Sequence, residues 1–263
     1  MPEQRLSDSN QYTRNESISR VQPHRDLPEF YESRERRAEF VARLFDGSAL
    51  YYDRISAVLS FGTDRAHRKR ALRRAGLEPH MRVLDVATGT GLAAQAAMDL
   101  GVKRGQVVGV DPSRGMLHEN QKRHGIRLVQ GRGEWLPFAD ASFDFICMGY
   151  ALRHVEDIGI LFREFYRVLK PGGRVLILEI TRPESRLGLL LGRSYLGKFL
   201  PAVARILTRG SDASKLLQFY WATIAECVSP ETILGALSSS GLENVERRRL
   251  GALLSDYFGM KPS

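Results

Sequence analysis

The chain has 263 residues, 43% of them hydrophobic, which is enough to bury the core of one large α/β domain. Its formal net charge is +9, but no basic cluster interleaved with aromatic residues marks a nucleic-acid module, so we expect no nucleic-acid partner. Neither of the two cysteines, Cys147 and Cys227, stands at the spacing of a metal site, so we predict no metal.

The first part of the chain divides into a polar tail and a helical region. Residues 1–27 are polar throughout, which predicts a flexible tail without the apolar core of a signal peptide, and hence a cytoplasmic protein. Residues 28–78 are predicted to form an N-terminal helical cap. Apolar residues at helical spacing occupy 40–60, and a basic helix covers 64–76.

From residue 81 onwards, short apolar runs alternate with helical patterns. Such alternation predicts a doubly wound, mostly parallel sheet, and the nearly continuous apolar runs suit strands covered on both faces. We assign this pattern to one domain, residues 79–263, with a helical insert at 183–228. The predicted strands read "RVLDVA", "QVVGV", "IRLVQ", "FDFICMGY" and "RVLILEI".

The first two predicted strands end in residues suited to a nucleoside. In an open α/β sheet, ligands bind at the carboxyl ends of the strands. Gly89 and Gly91, in the loop "DVATGTG", lack a Cβ and let a ligand approach the backbone closely. Asp111 ends the next strand, where its carboxylate can accept hydrogen bonds from the two hydroxyls of a ribose.

Two alternative interpretations of this loop remain. Its spacing also fits the G-x-G-x-x-G pattern of dinucleotide-binding proteins, with Ala94 at the third position. However, Asp85 precedes the loop and would lie beside a diphosphate, whereas it suits a ligand with a cationic amino group. S-adenosylmethionine is such a ligand. A tight strand–helix turn without any ligand is the second alternative.

Later motifs narrow the choice among these ligands. In order, they are "FDGSALYYDRISAVLSFGTDR", "VLDVATGTG", "VVGVDPSRGML", "GEWLPFADASFDFI", "YALRHVED" and "REFYRVLKPGGRVLILE". Together they closely resemble class I S-adenosylmethionine-dependent methyltransferases, and in particular the ubiquinone/menaquinone biosynthesis C-methyltransferase family. The resemblance runs from Phe45 to the C-terminus. It implies a Rossmann-like, seven-stranded sheet with one antiparallel strand, the helical cap, and a homodimer in many members.

The resemblance also implies site residues. Asp111 would hold the ribose, Met116 would flank the adenine, and Tyr52 and Arg65 would close over the cofactor from the cap. Tyr150 would lie beside the transferring methyl group. The full cofactor set implied is Tyr52, Arg65, Asp85, Thr88, Gly89, Gly91, Asp111, Met116, Arg132, Gly133 and Tyr150.

The chain departs from the family at several of these positions. Leu92 stands where the family usually has an acid, and Arg132 stands where it has Asn or Asp near the adenine edge. "LRH" at 152–154 replaces the usual "LRN", and the substrate segment is altered at 217–229. The identity of the methyl acceptor is therefore left open.

Arg153 and His154 are the predicted catalytic residues. A histidine can take the proton from a phenolic hydroxyl, and the fixed charge of an arginine can stabilise the phenolate. The alternatives are that His154 only caps the following helix and that Arg153 only forms a salt bridge within the domain. Glu226, Glu179 and Tyr220 are further candidates. Their alternatives are an exposed helical carboxylate for Glu226, a structural role for Glu179 and core packing for Tyr220.

The insert at 186–209 is leucine-rich and basic. Its cations are Arg186, Arg193, Lys198, Arg205 and Arg209. Such a pattern predicts peripheral contact with an anionic membrane, while a lid or a dimer helix is the alternative. No apolar run in the sequence reaches the length needed to span a bilayer.

The most specific function that these patterns favour is C-methylation of a prenylated or alkylated quinol or phenol, a hydrophobic aromatic small molecule. O-methylation of a phenolic lipid or polyketide is an alternative. A non-enzymatic scaffold in a quinone-biosynthesis complex is a second alternative, which the intact cofactor loop argues against.

Overall fold

Seven strands form a single sheet. They are β1 (Val83–Val86), β2 (Val107–Asp111), β3 (Arg127–Gln130), β4 (Phe143–Gly149), β5 (Leu169–Ile180), β6 (Glu243–Leu250) and β7 (Leu254–Met260). Their order is β3-β2-β1-β4-β5-β7-β6. Strands β1 to β5 pair in parallel, and β7 runs antiparallel to both of its neighbours. The predicted seven-stranded, mostly parallel sheet is confirmed in this computed structural model, which describes residues 20–183, 185–207, 212–251 and 253–263.

Helices surround the sheet. They are α1 (Arg37–Ser48), α2 (Tyr52–Leu59), α3 (Asp64–Arg74), α4 (Leu92–Met98), α5 (Arg114–His124), α6 (Ile158–Val168), α7 (Arg186–Ser194), α8 (Leu200–Leu207), α9 (Asp212–Ala225) and α10 (Pro230–Ser239). Several begin at side-chain caps. Ser113 accepts a hydrogen bond from the amide of Met116, and Asp157 accepts from those of Gly159 and Ile160. These caps satisfy amides that a helix leaves unpaired at its N-terminus.

The two faces of the sheet carry separate apolar cores. All residues of β1 and β2 are buried, as expected of strands covered on both faces. Residues of α6 and α10, such as Phe162 and Ile233, pack on one face. Residues of α3 and α4, such as Leu72 and Ala94, belong to the core of the other. This double cover holds the carboxyl ends of β1, β2 and β4 at one rim.

The N-terminal residues only partly match the predicted tail. Residues 1–19 lie outside the described residues, whereas 20–27 pack against the domain. His24 forms a bridge with Cys227, and Leu27 is buried. The amide of Val228 donates to the carbonyl oxygen of Pro23. Backbone pairing and one apolar anchor therefore order a segment whose composition is mostly polar.

The helical region before β1 consists of separate short helices. The apolar pattern of 40–60 is interrupted at 49–51, which separates α1 from α2. A third apolar cluster, which includes Phe40, Leu44 and Phe219, joins α1 to α9. Through α1, this region is attached both to the insert and to the start of α5.

The insert follows β5 as α7, one π-helical turn (Tyr195–Phe199), α8 and α9. Its expected range, 183–228, contains residues 184 and 208–211, which lie outside the described part of the chain. None of the helices in the described ranges combines the length and the apolar character that crossing a bilayer requires.

Replacing Gly91 by alanine should destabilise the fold. Gly91 has φ +91°, and an added Cβ would lie 2.4 Å from Cδ2 of His124. We expect a loss of about 2–4 kcal/mol in the free energy of unfolding. Gly235→Ala is the matched control, because that helical glycine is exposed and its Cβ would meet nothing within 4 Å. Chemical denaturation measures both. Equal stability of the two variants would contradict the loop geometry.

Candidate functional site

A cleft opens at the carboxyl ends of β1, β2 and β4. Counted with its open mouth, it encloses about 820 Å³. Residues of these strand ends form one side, and residues of α1 and α2 form the other. The side chains and backbone that line it belong to Ala38, Val41, Ala42, Phe45, Tyr52, Ala87, Gly89, Asp111, Pro112, Ser113, Met116, Arg132, Gly133, Glu134, Met148, Gly149, Tyr150, Ala151, His154 and Val155.

Two backbone amides hold the Asp111 carboxylate at the cleft. Gly89 N donates to Oδ2 and Ser113 N donates to Oδ1, each at 2.8 Å. Burial and the carboxylates of Asp85 and Asp46 together raise the pKa of Asp111 to about 6, although its two backbone hydrogen bonds act to lower it. No cation pairs with this carboxylate among the described residues. Each oxygen keeps acceptor capacity, so hydroxyl groups are suitable partners.

The buried carboxylate of Asp85 holds the loop after β1 in place through hydrogen bonds. Oδ2 of Asp85 accepts hydrogen bonds from the hydroxyl of Thr88 at 2.7 Å and from the amide of Ala94 at 3.1 Å. Burial raises the pKa of Asp85. Gly91 takes the left-handed conformation that starts α4. The structure thus gives Asp85, Thr88 and Gly91 contacts within the loop, whereas only Gly89 of this group lines the cleft.

The cleft has the chemistry of an adenosine site beside Asp111. Met116 is buried at its wall, and Gly133 and Arg132 lie along the same lining. At Gly89 an added Cβ would meet no atom within 4 Å, so the space above the loop is open. A buried carboxylate with acceptor capacity, an apolar wall and open space above the backbone fit a ribose and an adenine ring.

Arg132 is held by two acids. It donates to Glu134 Oε1 at 3.2 Å and to Glu156 Oε1 at 3.0 Å, and its guanidinium lies 4.9 Å from the centre of the Trp135 ring. The hydrogen bonds and charges of these acids raise its pKa despite burial. Arg132 therefore has fixed partners where the family usually has an acid or an amide.

Of the residues that were predicted to close over the cofactor, some line the cleft and one lies on the outer surface. Tyr52 and Tyr150 line the cleft. Arg65 does not: its side chain is 68% exposed and pairs with Asp99 at 2.8 Å. Arg68, one turn away, is instead buried and stands 4.7 Å from the centre of the Tyr150 ring. The sequence motif predicted the helix α3, but it did not predict which of the arginines in that helix turns inward.

His154 brings an unpaired imidazole to the cleft. Both ring nitrogens are buried and have no hydrogen-bond partner among the described residues. The ring stacks on Phe219 and Tyr220, at 5.4 and 5.8 Å between centroids, and Phe45 approaches it edge-on. Burial and the nearby charge of Arg153 lower the pKa of His154 well below its usual value. The imidazole is therefore neutral near pH 7.

Arg153 does not line the cleft. Its guanidinium forms a buried ion pair with Glu179 and donates to Thr223 Oγ1 at 3.4 Å, while its carbonyl oxygen accepts from Arg37 at 3.0 Å. These contacts connect the turn after β4 to β5, α9 and α1. They fix the backbone on which His154 stands.

Sequence reasoning missed several residues that shape the cleft. Asp46 in α1 accepts from Ser113 Oγ and from the amide of Gly115, which ties α1 to the start of α5. Asn120 is buried and donates to the carbonyl oxygen of Gly89 at 3.2 Å. The regular spacing of Ala38, Val41, Ala42 and Phe45 in α1 was a signal for an inward face, although not for the ligand it would meet.

We also searched the described residues for groups of side chains that could bind a metal ion. Within the described ranges, no three His, Cys, Asp or Glu side chains are grouped closely enough to hold an ion. Cys147 and Cys227 are buried free thiols.

Comparison with known proteins identifies relatives by sequence. The profile of the ubiE/COQ5 methyltransferase family matches residues 31–261. A demethylmenaquinone methyltransferase of Corynebacterium urealyticum is 34% identical over 223 residues, which cover 84% of this chain and 94% of that protein. A ubiquinone/menaquinone biosynthesis C-methyltransferase of Shewanella sediminis is 32% identical over 81% of this chain and 86% of its own length.

Solved structures share the fold at lower identity. An S-adenosylmethionine-dependent methyltransferase of Thermotoga maritima has a TM-score of 0.59 at 23% identity and covers 84% of this chain and 99% of its own. A methyltransferase solved with its Trm112 activator from Haloferax volcanii has a TM-score of 0.61 at 20% identity and covers 83% and 98%. Both likenesses concern the α/β methyltransferase fold.

Replacing Asp111 by alanine should greatly weaken nucleoside binding while the fold remains intact. Two charge-assisted hydrogen bonds, each worth about 1.5–3 kcal/mol, would be lost, so affinity for S-adenosylhomocysteine should fall by about two to four orders of magnitude. Calorimetry measures the affinity, and thermal unfolding checks the fold. Affinity of the wild-type protein should also fall as pH drops below about 6, where the carboxylate becomes protonated. Unchanged affinity in the variant would contradict the assignment.

Replacing Glu179 by glutamine should destabilise the domain, because it leaves the buried charge of Arg153 without its partner. We expect a loss of about 3–5 kcal/mol in the free energy of unfolding. Glu226→Gln is the matched control: its partner Arg25 has an 80% exposed side chain, and such pairs are worth about 0–1 kcal/mol. Urea denaturation compares them. A Glu179 variant as stable as its control would show that the buried pair does not support the turn.

Proposed function

The chain belongs to the ubiE/COQ5 methyltransferase family, and we propose that it methylates a ring carbon of a quinone precursor. It is an S-adenosylmethionine-dependent methyltransferase. The names of its relatives support a demethylmenaquinol-like or ubiquinone-precursor acceptor. The observation that carries this proposal is the neutral, unpaired His154 imidazole, which lies among aromatic rings in the cleft that also contains Asp111.

At the cofactor end of the cleft, Asp111 accepts hydrogen bonds from the ribose hydroxyls in our proposal. Met116 packs against the adenine, and Gly89 lets the ligand approach the backbone. Asp85, Thr88 and Gly91 act by holding the loop in place. When bound, S-adenosylmethionine supplies an electrophilic methyl group on a sulfonium.

We also propose that α1 and α2 form the cap over this cleft. Val41, Phe45 and Tyr52 line it from those helices, and this placement supports the assignment. Tyr52 also interacts with Tyr220 of α9. A cap of this kind excludes water from the reacting groups. Arg65, which pairs with Asp99 on the outer surface, has no role in this proposal.

At the acceptor end, His154 accepts the hydrogen bond of a ring hydroxyl. As the hydroxyl proton moves to the imidazole, the neighbouring ring carbon becomes nucleophilic and can accept the methyl group, which the sulfonium would release as it becomes a thioether. The hydrogen on that carbon then leaves as a proton, which restores the aromatic ring, and the imidazolium returns its proton to the ring oxygen. Phe45 and Val155 line the cleft and offer apolar surfaces against which an aromatic ring can pack, and Tyr220 supports Phe45 from behind. Holding the two reactants in line can supply roughly 7–11 kcal/mol of the barrier reduction.

Arg153 acts in this proposal as a positioning residue. Its ion pair with Glu179 holds the turn, and its positive charge beside the imidazole favours the neutral form of His154. Transfer of a proton to His154 is then transient, and the base returns to its neutral state after each turnover.

Incubation with methyl-labelled S-adenosylmethionine tests the function directly. The acceptors would be a reduced demethylmenaquinone and a phenol with an alkyl chain, with mass fragmentation of the products. A new methyl group on ring carbon supports the proposal. A methyl ether would instead establish O-methylation, and cofactor binding without any turnover would support a scaffold.

Replacing His154 by phenylalanine should lower kcat by about 10²–10⁴-fold, because the ring contacts remain but the proton acceptor is lost. Affinity for S-adenosylhomocysteine should not change. His80→Ala is the control, since its imidazole is 75% exposed. In the wild-type protein, the acidic limb of the kcat profile should lie well below pH 6.5, because the imidazole protonates only there. Unchanged kcat in the variant would exclude His154 as the base.

A further inference from the structure

The outer face of the insert carries an apolar stripe. Leu187, Leu190, Leu191 and Phe199 have exposed fractions of 65%, 61%, 59% and 58%, and Tyr195 is 37% exposed. The leucines recur at helical spacing. The rings of Tyr195 and Phe199, at the two ends of the π-helical turn, stack with centroids 6.0 Å apart. Both residues therefore lie on the same stripe.

Glycines define the opposite face of the same segment. An added Cβ at Gly192 would lie 2.4 Å from the Trp221 ring, and one at Gly197 would lie 2.8 Å from it. The glycine side therefore packs closely on α9. Because the inward face is made by small residues, the large apolar side chains are left to point away from the domain.

Cations accompany the exposed stripe. Arg186, Arg193 and Lys198 are exposed, and none of them pairs with an acid among the described residues. The segment from 186 to 207 contains no acidic residue at all. The side chain of Arg205 and the whole of Arg209, also counted in the sequence pattern, lie outside the described part of the chain.

We propose that this outer face, residues 186–199, docks on an anionic phospholipid surface. Exposed leucines enter the apolar layer below the headgroups, while Arg186, Arg193 and Lys198 contact the phosphate groups. Charge complementarity favours lipid over a second copy of the chain, since a copy would bring the same unpaired cations together.

The docking face lies one helix away from the acceptor end of the cleft. Trp221, which contacts the glycine side, is adjacent in α9 to Tyr220, which stacks on His154. If the proposed function holds, a lipid-soluble acceptor could pass from the bilayer to His154 along α9. The docking itself depends only on the insert.

Sedimentation with vesicles tests the docking, using the full chain. Wild-type protein should bind phosphatidylglycerol vesicles and bind phosphatidylcholine vesicles much more weakly, and rising salt should release it. The triple variant Arg186→Glu, Arg193→Glu, Lys198→Glu should bind roughly 100-fold or more weakly, at about a fivefold loss for each cation removed. Arg70→Glu, Arg73→Glu, Arg248→Glu changes the net charge equally on exposed positions of α3 and β6, and should bind like the wild type.

A second variant tests the apolar contribution. Leu187→Ser, Leu191→Ser, Phe199→Ser should lose binding but keep its unfolding temperature and its affinity for S-adenosylhomocysteine. Equal binding of the charge-reversed and control variants would overturn the proposal, as would wild-type protein that ignores anionic vesicles. A wild-type dimer that the serine variant converts to monomer would assign the face to self-association instead. Vesicle binding with no methyl transfer would overturn only the proposed function.

Discussion

The Asp111 carboxylate, fixed by the amides of Gly89 and Ser113, is the interaction on which the cleft depends. It sits where β2 ends, in a region that burial and neighbouring acids make unfavourable for negative charge, as the raised pKa shows. The fold maintains this group without a cation that pairs with it among the described residues. A ligand that offers hydroxyl hydrogens would relieve the unfavourable burial, and in the proposed site this couples cofactor binding to the geometry of two strand ends.

The proposed acceptor end of the cleft differs from the Asp111 end in which group is left without a partner. There, the charges of Arg153 and Glu179 compensate each other, and the group left unpaired is the neutral imidazole of His154. Its surroundings come from distant parts of the chain: Phe45 from α1 and Phe219 and Tyr220 from α9. Residues 20–27 add a further support, since His24 accepts a hydrogen bond from Arg37, which also holds the Arg153 carbonyl oxygen.

Much of the fold and of the cofactor end could be predicted from the sequence, because both rest on local patterns. Apolar runs locate β1 and β2, and the glycines and Asp111 follow those strands directly. The acceptor end depends on contacts between residues far apart in the chain, such as Arg153 with Thr223, which no local pattern reveals. Arg68 rather than Arg65 turns inward because it packs against Tyr150. Residues 20–27 are anchored by backbone hydrogen bonds, which cannot be predicted from composition.

A crystal structure with S-adenosylhomocysteine tests the central claim most directly. The ribose hydroxyls should lie within hydrogen-bonding distance of both Asp111 oxygens, and the sulfur should point along the cleft towards His154. A ligand bound elsewhere on the protein, or a cleft that closes and excludes it, would contradict the site.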